Sequence, residues 1–126
     1  MLGRVDPGAH GAILPLRVLG VGGQRGPAGV DATVDTGFTG ALCLSPDLVE
    51  TLSLPLVGRG VAVLADGRAV ETRVHRATVV WHGRERMVRV LATESEPLVG
   101  MALLRGSRLT VDAVPGGTVR IEELPG

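Results

Sequence analysis

Ala32-Thr33-Val34-Asp35-Thr36-Gly37-Phe38-Thr39-Gly40-Ala41-Leu42 decides how this chain is read. An apolar, strand-like run ends in one carboxylate. A hydroxyl and a glycine follow at once. A second strand-like run, Ala41-Leu42-Cys43-Leu44, begins almost immediately. An acid at the tip of a tight, glycine-flanked turn is costly to place among apolar residues unless it is used. Asp35 is therefore the candidate reactive group.

Outward from this turn the periodicity is β almost throughout. Ala12-Ile13-Leu14-Pro15-Leu16-Arg17-Val18-Leu19 reads as a first long strand, and residues 30–34 as the second. Residues 20–29 hold five glycines and a proline, which marks a loop. Its Gly20-Val21-Gly22-Gly23 lacks the Gly-Lys-Ser/Thr ending of a phosphate loop, and no helical pattern follows it, so it reads as a hairpin connection. Ser45-Pro46-Asp47 supplies a capping hydroxyl, a proline for the first helical position and an acid for the first turn. A helix of about two turns is expected, stopped by Leu54-Pro55.

Two hairpins are expected next. Residues 60–64 and 69–74 flank Ala65-Asp66-Gly67-Arg68, and Asp-Gly between strands is a strong turn signal. Residues 77–81 and 85–91 flank His82-Gly83-Arg84. Alternation in the last of these strands puts Met87, Arg89 and Leu91 on one face and Val88 and Val90 on the other. Pro97-Leu98-Val99-Gly100 reads as a buried segment, followed by a short helix at 101–104. Strands at 109–112 and 118–121 close the chain. The expectation is one mainly β domain over residues 1–126 with one or two short helices.

Composition narrows the function. Net formal charge is zero and aromatics are 2%, so neither the basic stripe nor the stacking rings of a nucleic-acid binder is visible. No apolar run approaches the roughly 20 residues of a spanning helix, so no membrane partner is expected. The first residues, Met1-Leu2-Gly3-Arg4-Val5-Asp6-Pro7, lack a signal-peptide core, and the expected location is cytoplasmic. The single cysteine, Cys43, excludes an intramolecular disulfide and reads as a small buried hydrophobe. His10, His75 and His82 lack metal-ligand spacing. No cofactor or metal is expected.

Asp35-Thr36-Gly37 in this setting resembles the active-site loop of the aspartic proteases. One carboxylate hydrolyses a peptide poorly. Two that share a proton do it well, because like charges about 3 Å apart cannot both ionise, so one is base and the other acid. Asp31 lies about 13 Å along the same strand and cannot share a proton with Asp35. Asp112 has no glycine turn beside it and is expected to be structural. The triplet does not recur. The economical solution is two-fold symmetry, with a second copy of the chain bringing its own Asp35 to the axis. Thr36 would then bond across the axis. Gly37 would allow close backbone approach. Phe38 and Thr39 would wall the cleft or touch the substrate.

The order of elements is similar to that of the retropepsin-type aspartic proteases, most of all the small bacterial and archaeal single-domain members. The resemblance implies a closed β-barrel or sandwich with one lobe per chain, working as a homodimer on peptide or protein substrates. It implies that Leu98-Val99-Gly100 crosses behind the catalytic loop. It implies that the hairpin tip, with Leu64, Ala65, Asp66 and Gly67, is a flap over bound peptide. The strand at 118–121 would contribute to the dimer interface. Phe38 departs from the small residue usual after the triplet in the viral enzymes. Two functions remain open: an acid-base endopeptidase, and a non-catalytic homodimeric module of the same fold that binds a peptide or partner. An ordinary Asp-Gly turn is the bland reading of the triplet alone. A phosphatase-like reading wants a second acid where Gly37 stands.

Overall fold

The structure, a computed structural model, describes residues 1–20, 28–63 and 66–126. These form ten strands and two short helices. In chain order they are β1 (Leu2–Val5), β2 (Ala12–Leu19), β3 (Ala28–Val34), β4 (Leu42–Leu44), α1 (Pro46–Thr51), β5 (Leu56–Val63), β6 (Ala69–Trp81), β7 (Arg84–Ala92), β8 (Leu98–Val99), α2 (Met101–Leu104), β9 (Ser107–Val111) and β10 (Thr118–Glu123). All ten strands join one sheet in the order β5-β6-β7-β4-β8-β3-β2-β1-β10-β9. A further pairing of β6 with β2 (Val18 opposite Val79, Leu19 opposite Thr78) closes six of them into a barrel. The expected mainly β barrel with short helices is the fold observed.

Alternation builds the core. Along β2, Leu14, Leu16 and Val18 are buried, while Pro15 and Arg17 between them face out. On β7 Val88 and Val90 point inward, and Met87 and Arg89 outward, as the alternation predicts. Ala77, Val79 and Trp81 of β6 meet them with Leu42 and Leu44 of β4 and Leu103 of α2. Full burial of one such Leu or Val contributes about 1.5–3 kcal/mol, so these inward rows hold the barrel closed. Among the described residues no polar or charged residue is buried, and no helix is long and apolar enough to cross a membrane.

Three features depart from the sequence expectations. The two hairpins share one 13-residue strand, β6, because nothing in Val74-His75-Arg76-Ala77 interrupts extended backbone. Its first half pairs with β5 and its second with β2. β1 carries no strong apolar alternation, and pairing with β10 and β2 creates it. The strand expected from residue 30 starts at Ala28. Helix α1 follows its signals: Ser45 Oγ accepts the Leu48 amide at 3.2 Å, and Pro46 opens it. Most of the glycine-rich loop, residues 21–27, lies outside the described residues.

Candidate active site

Asp35 stands where β3 leaves the barrel. Its amide donates to the carbonyl of Val99 at 2.8 Å, continuing the parallel pairing of β3 with β8. The chain then turns sharply. The Gly37 amide donates to Asp35 Oδ1 at 2.9 Å, and the Phe38 amide to the Asp35 carbonyl at 3.1 Å. The side-chain bond explains why aspartate suits this turn: its carboxylate satisfies an amide two residues on. Oδ1 is thereby oriented, while Oδ2 has no partner among the described residues. Asp35 is partly buried, and Thr36 and Gly37 are exposed.

Helix α2 supports the loop from behind. A helix start leaves amides without partners, and Gly100 has no side chain to cap them. The loop caps them instead. Gly100 donates to Ala41 at 3.0 Å, Met101 to Phe38 at 2.8 Å and Ala102 to Gly40 at 3.1 Å. Leu98-Val99-Gly100 therefore lies directly behind the Asp35 turn. The fit is tight: a Cβ on Gly100 would come within 2.3 Å of the Gly40 oxygen and 2.5 Å of Phe38 Cδ2. A Cβ on Gly40 would meet Phe38 Cζ at 2.5 Å. The Phe38 ring thus folds back over two glycines. The aromatic residue after the triplet is accommodated because positions 40 and 100 carry no side chain.

Beside the loop runs a groove of about 470 Å³. One wall is the backbone of residues 37–41. The other is formed by Arg59, Val61 and Val63 of β5, with Val74, Arg89 and Leu91 beneath. Phe38 and Thr39 line it. Asp66 and Gly67 do not. They turn the hairpin farther out, where Asp66 pairs with Arg68 at 2.7 Å. The expected flap residues Leu64 and Ala65 lie outside the described residues. Asp31 faces away and pairs with Arg4 at 3.3 Å. Asp112 is exposed at the end of β9.

The other chemistry-bearing groups stay apart. Cys43 is buried, and burial pushes its thiol up, with the nearby Asp35 charge acting in the same direction. His82 Nε2 lies 2.8 Å from Ser107 Oγ at the far end of the β6–β7 hairpin. A larger cleft of about 790 Å³ lies between α1 and β6. Its one histidine, His75, has Nδ1 3.0 Å from the Leu54 carbonyl, and Asp35 takes no part in it. Among the described residues no group of His, Cys, Asp or Glu converges as metal ligands. Sequence reasoning missed the Phe38–Gly40–Gly100 interlock and the two groove arginines. Gly40, two residues beyond an aromatic, was the available signal for the first. The outward parity of Arg89 was the signal for the second.

Comparison with known protein families, curated proteins and solved structures returns no match for this chain.

Proposed function

We propose that the chain is one subunit of a homodimeric aspartic endopeptidase. The observation that carries this is the setting of Asp35. A partly buried carboxylate sits on a turn braced by β8 and α2, and the loop that continues from it, residues 37–41, lines a groove whose opposite wall is β5. Such bracing is what a catalytic group needs, because a reacting atom must be held within a fraction of an ångström. The groove offers an extended peptide an apolar wall.

The chemistry follows from pairing two such loops. Two Asp35 side chains facing each other across a two-fold axis hold one proton between them. The ionised member takes a proton from water, and the water oxygen attacks the peptide carbonyl carbon. The protonated member donates to the carbonyl oxygen and stabilises the charge that develops there. A proton then passes to the leaving nitrogen as the C–N bond breaks. The Gly37 amide holds Oδ1 of each carboxylate in place throughout.

The test is cleavage of an unstructured protein over pH 3 to 8 by wild type and Asp35→Asn. Wild type is expected to cleave with a bell-shaped profile on the acid side. Asp35→Asn is expected to be inactive and folded, since the amide oxygen still accepts from Gly37. Cleavage by Asp35→Asn at the wild-type rate would overturn the proposal. Tight peptide binding by wild type without cleavage at any pH would assign the chain to the peptide-binding alternative.

A further inference from the structure

We infer that the groove beside the Asp35 loop selects peptides with an acidic side chain, and that Arg89 is the residue that selects them. This rests on the endopeptidase reading and names its substrate class.

Three observations carry it. First, no carboxylate among the described residues lines the groove. Its two charged residues are both arginines, Arg59 and Arg89, set among Phe38, Val61, Val74 and Leu91. Second, the two differ. Arg59 Nη1 is matched by Glu71 at 2.9 Å. Arg89 has no carboxylate within ion-pair distance among the described residues. Third, the residue directly across the β6–β7 ladder from Arg89 is Arg76. Like charges placed directly opposite on antiparallel strands repel one another and weaken the pairing. The alternation of β7 permits any polar residue at an outward position, so folding does not require a cation there.

An incoming carboxylate relieves that repulsion and meets a guanidinium whose planar fork donates two parallel hydrogen bonds to it. The apolar walls beside Arg89 lower the local dielectric and strengthen the attraction. A lysine or arginine of the substrate meets the same field with the opposite sign. The groove therefore favours glutamate or aspartate over their amides, and disfavours basic side chains.

The experiment uses paired peptides that differ only by Glu or Gln at each position around a cleavable bond. They are digested at about pH 5.5, where the substrate carboxylate is ionised. Wild type, Arg89→Gln and Arg76→Gln are compared. Wild type is expected to cleave the Glu member about three- to fivefold faster at one position, the size of an exposed ion pair. That ratio is expected to fall to one in Arg89→Gln, to shrink but stay above one in Arg76→Gln, and to shrink in high salt. Equal rates for Glu and Gln in wild type, or an unchanged ratio in Arg89→Gln, would overturn the inference and leave the endopeptidase reading standing. If wild type cleaves nothing, that reading fails instead. Fluorescence anisotropy with the same peptides then decides the groove: a Glu preference in binding that Arg89→Gln removes upholds it, and equal binding overturns it.

Discussion

At Gly100 a single hydrogen in place of a methyl group lets a strand, a helix and a loop meet. A Cβ there would press on the carbonyl oxygens of Gly40 and Phe38, at 2.3 and 2.6 Å, as well as on the Phe38 ring. The ring can rotate away, but the backbone oxygens cannot without breaking their bonds to α2. Gly100→Ala is therefore expected to cost about 2–3 kcal/mol, read from the urea midpoint. Adding Phe38→Ala should not rescue it. Full rescue would mean that the ring alone sets the constraint. Thr36 makes the complementary case. It is exposed in the single chain, and its hydroxyl bonds to no described residue. If its partner lies across a dimer axis, Thr36→Ala leaves a buried group unpaired in each half, at about 1–3 kcal/mol per site. Sedimentation should show weaker dimerisation, with activity lost mainly at low protein concentration. An unchanged dissociation constant would remove Thr36 from the interface.

The element that spans both regimes of the fold is β6. Its second half, Ala77 to Trp81, is locked into the barrel, with Ala77, Val79 and Trp81 buried. Its first residues, 69–73, pair only with the edge strand β5, where Val61 and Val63 are 63% and 72% exposed. Few apolar contacts mean a low cost of local opening. Amides of the β5–β6 hairpin should exchange fast in the free protein and slowly with a peptide-like inhibitor bound, while those of the barrel half stay slow in both. Equal protection of the hairpin in the two states would make it a fixed wall rather than a flap. At the other end of β6, His82 and Gly83 form a two-residue turn with φ of 51° and 75°, the backbone twist that such hairpins favour. Burial pushes the His82 imidazole below its ordinary value, partly offset by the Glu123 carboxylate. The folded state therefore binds this proton less well than the unfolded chain. The contribution to stability is present above the ordinary value of about 6.5 and is lost as pH falls through the folded value. His82→Asn, which suits the turn and does not titrate, should lose less stability than wild type between pH 7.5 and 5. Identical losses would show that acid sensitivity arises elsewhere.

At the scale of the molecule, the six-stranded barrel places β3, β8 and the start of α2 side by side, and this places Asp35 at the barrel rim. One chain supplies one such carboxylate among the described residues, because Asp31 is held by Arg4 and Asp112 is exposed just beyond the end of β9. The proposed chemistry needs two. The protein should therefore sediment at about 26 kDa, twice the 13.0 kDa chain, at micromolar concentration. Its rate should fall faster than linearly on dilution as the dimer dissociates. A monomer that cleaves with undiminished specific activity would require a different mechanism. The dimer should also be the species in which the pH profile has two limbs, since a lone carboxylate titrates once.

The sequence by itself determined what local physics controls. Alternation in β2 and β7 set which residues face the core, because adjacent side chains in a strand point to opposite sides. Ser45-Pro46 set the start of α1, because capping is decided within one turn. Asp35-Thr36-Gly37 between apolar runs marked the candidate site, because a carboxylate there is costly without a use. Tertiary structure alone decided the rest. It merged two hairpins through β6, since only the meeting with β2 shows that the strand does not end. It made β1 a strand, since that segment acquires one of its two partners, β10, from residues more than a hundred positions away. It turned Phe38 back onto Gly40 and Gly100, and it set Arg89 opposite Arg76 in the groove. Each of these depends on a partner outside the residue's own element, and neither propensity nor periodicity identifies such a partner.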